Sequence, residues 1–244
     1  MPLLTELILV YVSFYKYAAP HGAKKPDMFQ DRKDAGQKLA EALQAYQNQK
    51  ALVLAIPKGG IEVGYQVAKS LNADFSIIIA RKLPYPDNPE AGFGAIAEDG
   101  STFIFEAEKE WLAPEIIDRI ITAQKQEIAR RITFLRRDQS LPEITGKIVI
   151  LVDDGIAMGS TMRAAIALCK NRKAGKIVVA APVAGRSIVE EFSTLVDDVV
   201  VVETPPFFRS VAQVYRHWYD VSDQEALEIL ERWHREQKET MKIS

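Results

Sequence analysis

Residues 148–161 read IVILVDDGIAMGST. Ile148 to Val152 is an unbroken apolar run rich in Val and Ile, with no alternation, as expected of a parallel strand buried on both faces. Two adjacent carboxylates, Asp153 and Asp154, end it. A loop of small residues follows, and a helical pattern runs from Ser160 to Asn171. A helix N-terminus presents free N–H groups and a partial positive charge, so it holds a phosphate well. Gly159 lets the backbone approach closely, and Ser160 and Thr161 add hydroxyl donors. The two carboxylates repel a phosphate and suit sugar hydroxyls or a metal. Acids on one side and a phosphate cradle on the other fit a phosphorylated ribose.

The rest of the chain supplies the frame for this segment. Leu52 to Ile56, a helix over Ile61 to Leu71 and Phe75 to Ala80 read as a βαβ unit. Ile177 to Val183 and Val199 to Val202 are further buried strands. Helices are expected over Asp34–Tyr46, Pro114–Arg137, Ser187–Thr194 and Asp223–Lys238. The basic residues of the long helix read first as a solvated face and second as a partner surface. Asp99-Gly100 between two strand-like stretches is a hairpin signal. The expected fold is α/β: a three-layer, mostly parallel twisted sheet with flanking helices, in one domain over 28–244, with a hairpin or lid insertion at about 83–110. Ligands in such sheets bind outside the carboxyl ends of the strands. After the first strand stands Pro57-Lys58-Gly59-Gly60, which offers N–H groups and one cation but on its own is more often a plain turn.

Composition narrows the function. The 244 residues are 48% hydrophobic and 26% charged, which excludes a disordered or fibrous chain. Lys plus Arg is 31 against 33 for Asp plus Glu, a net charge of -2, so a broad nucleic-acid surface is disfavoured. Cys169 is the sole cysteine, no intrachain disulfide can form, and a reducing cytoplasm fits. His21, His217 and His234 are scattered and argue against a structural zinc site. Leu3 to Tyr17 is apolar but interrupted by Glu6 and Lys16, short of the roughly 20 residues that span a bilayer, and it lacks the basic start of a signal peptide, although Ala18-Ala19 resembles a cleavage site. No membrane association is therefore expected. With the linker-like stretch Ala19 to Asp27, residues 1–27 read as an accessory extension or a start-codon artefact; a native N-terminus at Met1 by mass spectrometry would exclude the artefact.

Ile148 to Thr161 resembles the PRPP-binding motif of type I phosphoribosyltransferases (PRPP is 5-phosphoribosyl 1-diphosphate). The order of Phe29 to Gly36, Arg81 to Glu90, Gly94 to Ala97, Pro205 to Phe208 and Val211 to Tyr215 resembles the predicted, acceptor-unassigned members of that family in bacteria and archaea. The resemblance implies that Asp153 and Asp154 hold the ribose 2′- and 3′-hydroxyls. It implies that Ala157, Met158, Gly159, Ser160 and Thr161 wrap the 5′-phosphate, and that Lys58, Gly59 and Gly60 bind pyrophosphate. Arg81 and Lys82, alone a solvated charge pair, then neutralise the leaving pyrophosphate. Phe207, Phe208 and Tyr85 are weak acceptor-pocket candidates, since such aromatics are more often core. Leu83 to Gly94 reads as a lid or as a plain surface connection. The implied partners are PRPP, a small-molecule acceptor and a second copy of the chain. The implied cofactor is Mg2+, carried by PRPP without direct protein ligands.

Two departures matter. Met158 stands where the motif usually has Thr, and Lys58 where relatives often have Arg, which keeps the charge and loses bidentate geometry. Ala157 stands where purine-salvage members carry an acid that serves as base, so a hypoxanthine–guanine enzyme is disfavoured. The expected activity is transfer of the phosphoribosyl group to a nitrogen acceptor. A PRPP-binding regulator without turnover is the alternative. A hydrolase lacks an obvious nucleophile, because Cys169 lies mid-helix.

Overall fold

The computed structural model describes residues 29–243, so the expected accessory extension at 1–27 lies outside the described residues. The strands are β1 (Leu52–Ala55), β2 (Asp74–Ile77), β3 (Ala80–Tyr85), β4 (Asn88–Ala97), β5 (Thr102–Ile104), β6 (Ile148–Val152), β7 (Lys176–Val183) and β8 (Asp198–Glu203). The helices are α1 (Arg32–Ala42), α2 (Gly60–Leu71), α3 (Glu106–Trp111), α4 (Pro114–Arg136), α5 (Ser160–Asn171), α6 (Arg186–Phe192) and α7 (Asp223–Ile243). Five strands pair in parallel in the order β2-β1-β6-β7-β8, and β3-β4-β5 form a separate antiparallel sheet. This is the expected three-layer α/β architecture.

Each parallel strand is apolar throughout because it feeds two cores. Val53, Ala55, Ile150, Val152, Val178 and Ala180 pack under α1, α2, α4 and α7, with Leu39, Val67, Leu230 and Trp233. Their neighbours Leu52, Leu54, Val149, Leu151, Val179 and Ala181 pack under α5 and α6, with Met162, Ile166, Cys169 and Phe192. Each fully buried Leu or Ile contributes about 1.5–3 kcal/mol of transfer energy. Cys169 is inert here, since burial pushes its thiol up to about 12.

One boundary differs from the sequence expectation. The second strand ends at Ile77, not at Ala80, and Arg81 and Lys82 lie inside β3 rather than after a strand of the parallel sheet. Ile78 and Ile79 carry the chain from one sheet to the other and remain buried. The backbone groups freed at this switch are satisfied by one ion pair: Glu98 Oε1 accepts from Ile79 N (2.9 Å), and Arg136 Nη1 donates to Ile77 O (3.3 Å) while its guanidinium pairs with Glu98. The β4–β5 turn falls at Asp99-Gly100 as expected, with Gly100 at φ 91° and Asp99 Oδ1 accepting from Ser101 N (2.8 Å). The segment expected as a lid is the β3–β4 hairpin, with register shifts at Pro84, whose missing N–H an edge strand tolerates.

Candidate active site

β6 delivers Asp153 and Asp154 to the carboxyl edge of the parallel sheet, beside the end of β1, where Ile56 N donates to Val152 O (2.8 Å). The Lys58-Gly59-Gly60 loop lies directly on the acid pair. A Cβ on Gly59 would stand 1.9 Å from Asp154 Oδ2, and one on Gly60 would stand 2.8 Å from Val152 O and 2.9 Å from the Asp153 Cα. Any side chain at either position would drive the loop off the carboxylates, so this approach requires both glycines.

The two acids are not equivalent. Asp154 is buried and closed in. Arg32 Nε donates to its Oδ2 at 2.8 Å, Arg32 Nη1 donates to Tyr219 O at 2.9 Å, and the guanidinium lies 4.1 Å from the Trp218 ring centre. Tyr215 Oη donates to the Asp154 carbonyl (2.6 Å). Asp153 is half-buried, accepts from Asp154 N (2.9 Å) and faces a cavity. Burial, and then the Asp154 charge, hold the Asp153 carboxyl well above the usual carboxylate range. Burial also raises Asp154, but Arg32 opposes the rise.

The cavity has a volume of about 250 Å³. It is lined by Asp153, by the loop from Gly155 to Met162, by Lys82 and Glu90 to Gly92 of the hairpin, and by Val211. Gly159 takes φ 71° and turns the loop into α5, where Ser160 begins the helix. Arg163, one turn into α5, fixes the loop from behind. Its Nη1 donates to Met158 O (2.5 Å), and its Nε and Nη2 hold Glu191 at 2.9 and 2.5 Å. The same guanidinium lies 4.9 Å from the Phe103 ring centre and 5.1 Å from that of Phe192. The loop N–H groups, the Ser160 and Thr161 hydroxyls and the Lys82 ammonium are the donors at the cavity wall. Ala157 and Met158 are exposed there and contribute neither base nor hydroxyl.

Lys82 and Arg81 alternate across β3 and part company. Lys82 lies over Gly92, donates to Glu90 O and lines the cavity; burial lowers its ammonium below the usual lysine range. Arg81 turns toward α4, where its Nε donates to Gln124 Oε1 (3.2 Å). The aromatic acceptor candidates stay out of the cavity lining. Tyr85 packs edge-on against Phe93 (5.7 Å), Phe208 joins a small cluster with Val183 and Val211, and Phe207 is 82% exposed. A larger hollow of about 410 Å³ opens at the opposite end of β7, beside Lys170 and Asp197, away from every group with the chemistry described.

Sequence reasoning assigned no role to Arg32, Tyr215, Arg163 or Glu191. Arg163 carried a readable signal, as a charge inside the apolar stretch Met162 to Ile166 that demands a buried partner.

A strand-end acid pair, a glycine-hinged loop that opens α5 and a second Gly-Gly loop meet on one sheet edge, the edge at which open α/β sheets bind ligands. The phosphoribosyl transferase domain model matches residues 26–216. Two proteins of Mycobacterium tuberculosis, from strains CDC 1551 / Oshkosh and ATCC 25618 / H37Rv and provisionally named phosphoribosyl transferases, are each 38% identical over 211 residues. That alignment covers 86% of this chain and 48% of theirs, so the chain spans about half the length of those curated relatives. The crystal structure of TT1426 from Thermus thermophilus superposes with a TM-score of 0.71 at 32% identity, covering 84% of this chain and 98% of that one. The chain belongs to the phosphoribosyl transferase family, a class of pentosyl-transferring enzymes.

Proposed function

We propose that the chain transfers the 5-phosphoribosyl group of PRPP to a small nitrogen acceptor, nucleobase-like or amine, and releases pyrophosphate. The observation that carries this reading is the single cavity shared by Asp153, the whole loop from Gly155 to Met162 and Lys82. In it the 5′-phosphate sits on the α5 N-terminus, and Asp153 accepts from a ribose hydroxyl. Asp154, turned into the protein by Arg32, orders the strand end and the Lys58 loop. Displacement at ribose C1 needs little covalent help from the protein. Positioning, and cations placed where charge gathers on the leaving diphosphate, supply the catalysis. Lys58 and Lys82 stand on the two sides from which that charge can be met. The hairpin bearing Lys82 and Gly92 forms one wall and excludes water from C1.

Magnesium fits this donor set. Asp153 is one cavity-facing carboxylate, and no cluster of three His, Cys, Asp or Glu side chains exists among the described residues. A magnesium ion carried mainly by substrate phosphates needs few protein ligands, and when bound it would neutralise the diphosphate. No helix among the described residues is long and apolar enough to cross a membrane. The sole cysteine, Cys169, supports the proposed location in a reducing cytoplasm.

Calorimetric titration of PRPP with magnesium tests the reading. The wild type should bind saturably, and Asp153→Asn/Asp154→Asn should not. Pyrophosphate release in an acceptor screen then separates a transferase from a regulator that binds PRPP without turnover, the reading favoured by Ala157 and Met158 at the cavity. A folded wild type that ignores millimolar PRPP would end both.

A further inference from the structure

Most basic residues of α4 lie on a solvated face, as expected: Arg119, Lys125 and Arg130 are exposed, and only Arg131 and Arg136 are buried. Arg131 is buried, with its Nε 2.9 Å from Glu127 Oε1, and Arg130 holds both Glu127 oxygens at 2.8 and 2.9 Å. Gln124, which anchors Arg81, lies on the same stripe of the helix as Glu127 and Arg131. α4 also packs against β3 and α7. At the first turn of α7, Asp223 reaches Arg130 Nη2 at 3.0 Å and Lys58 Nζ at 3.6 Å. Three cations, Lys58, Arg130 and Arg131, thus share two carboxylates, Glu127 and Asp223, and Arg81 is held beside them by Gln124. Arg81 forms no ion pair among the described residues, although it is more than half withdrawn from solvent; burial and the neighbouring Arg131 charge lower it from the usual arginine range. An excess of positive charge is held together beside the loop that covers the acid pair.

The cap of α7 does not depend on Asp223. Ser222 and Glu225 already cap α7 reciprocally: Ser222 Oγ accepts from Glu225 N (3.1 Å), and Glu225 Oε2 accepts from Ser222 N (2.8 Å). Burial alone would raise the Asp223 carboxyl, but Arg130 and Lys58 outweigh it and hold it below the usual range.

We propose that Arg130 and Arg131, together with Lys58 and Arg81, form the seat of a diphosphate group, and that Asp223 is an internal carboxylate which the diphosphate displaces. The inference rests on the PRPP reading for the source of the diphosphate. It adds two arginines of α4 to the site and gives the N-terminus of α7 a competing role. A diphosphate bridging Lys58 and Arg130 substitutes two phosphoryl groups for one carboxylate, and Arg81 supplies a cation held by the neutral Gln124 amide rather than by a carboxylate.

Inorganic pyrophosphate is the probe, titrated calorimetrically into the full chain with and without magnesium. Arg131→Gln should weaken binding about tenfold, Arg130→Gln somewhat less, and Asp223→Asn should strengthen it about threefold. Arg131→Gln risks the fold. Arg130 is half-exposed and Asp223 lies outside the α7 cap, so those two variants carry the test if it fails, with thermal unfolding as the check. Unchanged binding in both would overturn the inference. Weaker binding in Asp223→Asn would make Asp223 a ligand, through magnesium or otherwise, and overturn the displacement. Ser160→Ala/Thr161→Ala separates the two readings. It should weaken PRPP binding and leave pyrophosphate binding alone. If pyrophosphate depends on α4 and PRPP does not bind at all, the seat stands and the PRPP reading falls.

Discussion

Around the loop from Gly155 to Thr161 the donors are backbone N–H groups and hydroxyls, Lys82 reaches the same cavity from the hairpin, and Arg163 behind the loop is fully engaged by Met158 O, Glu191 and three aromatic rings. Around Lys58 the donors are flexible side-chain cations already paired with carboxylates. The first end is preorganised: its geometry is fixed when the chain folds, and a phosphate meets donors with no rival acceptor. The second end exchanges one anion for another, so its contribution is a difference between two ion-pairing arrangements and is exposed to screening. One end provides grip, and the other can let go, which suits a site that retains one phosphate and releases another.

Breaking the rigid end should have the largest effect. Arg163→Met removes the brace behind the loop, and we expect a loss of roughly 2–4 kcal/mol in denaturant unfolding together with PRPP binding. The cost stays below that of a fully buried broken pair because Glu191, 45% exposed, is rehydrated. The acid pair should split next. Asp153→Asn should abolish PRPP binding yet raise Tm by about 2–4 °C, equivalent to about 1 kcal/mol at this chain length, because it removes a buried charge beside another. Asp154→Asn should lower Tm instead, since it leaves Arg32 buried without its counter-charge. The sign follows from linkage. A carboxyl raised in the folded chain binds its proton more tightly there, so stability falls as pH climbs from the ordinary carboxylate range through the raised value. Ribose binding should strengthen over that same window, and in Asp154→Asn the window should move down; matched pH profiles of Tm and PRPP affinity would show both.

A smaller effect separates the two ends by salt. Between low and physiological ionic strength, pyrophosphate affinity should fall more steeply than the affinity for ribose 5-phosphate, which uses the rigid end alone. Equal slopes would erase the distinction between the two ends. The smallest effect is expected of Met158→Thr. The side chain is 54% exposed, so stability should not change, and the added hydroxyl should improve PRPP binding by about 0.5–1.5 kcal/mol.

The parallel sheet was legible because buried strands need continuous apolar runs, and Ile148 to Val152 is both the expected strand and the observed one. The Asp99-Gly100 turn was legible because its residues are the turn's requirement. The end of β2 was not, since Ile78 and Ile79 are as apolar as the strand and only their change of partner ends it. Prolines at 84, 86 and 89 suggested an irregular lid, but Pro84 lies on an edge strand that has no need of its N–H, Pro86 in the turn and Pro89 at the start of β4. In the site, Asp153, Lys82 and the phosphate loop come together as their positions after or beside strands implied. Arg81 does not join them, because neighbours on a strand face opposite ways. Arg32 was hidden by distance: its partners lie 122 and 187 residues away, and no local pattern encodes such a pair.

That distance has a consequence for how the protein is made. Phe29 N donates to Val214 O, Arg216 N donates to Phe29 O, and Arg32 reaches both Asp154 and Tyr219. The clasp around the second acid therefore joins an early stretch of chain to a very late one. A ribosome moving from the N-terminus releases the acid pair long before it releases Tyr215 or Tyr219. Until then Asp154 stays hydrated and the sheet edge stays loose, so the emerging polypeptide closes this edge only after Tyr219 has left the ribosome, in a single step of high contact order.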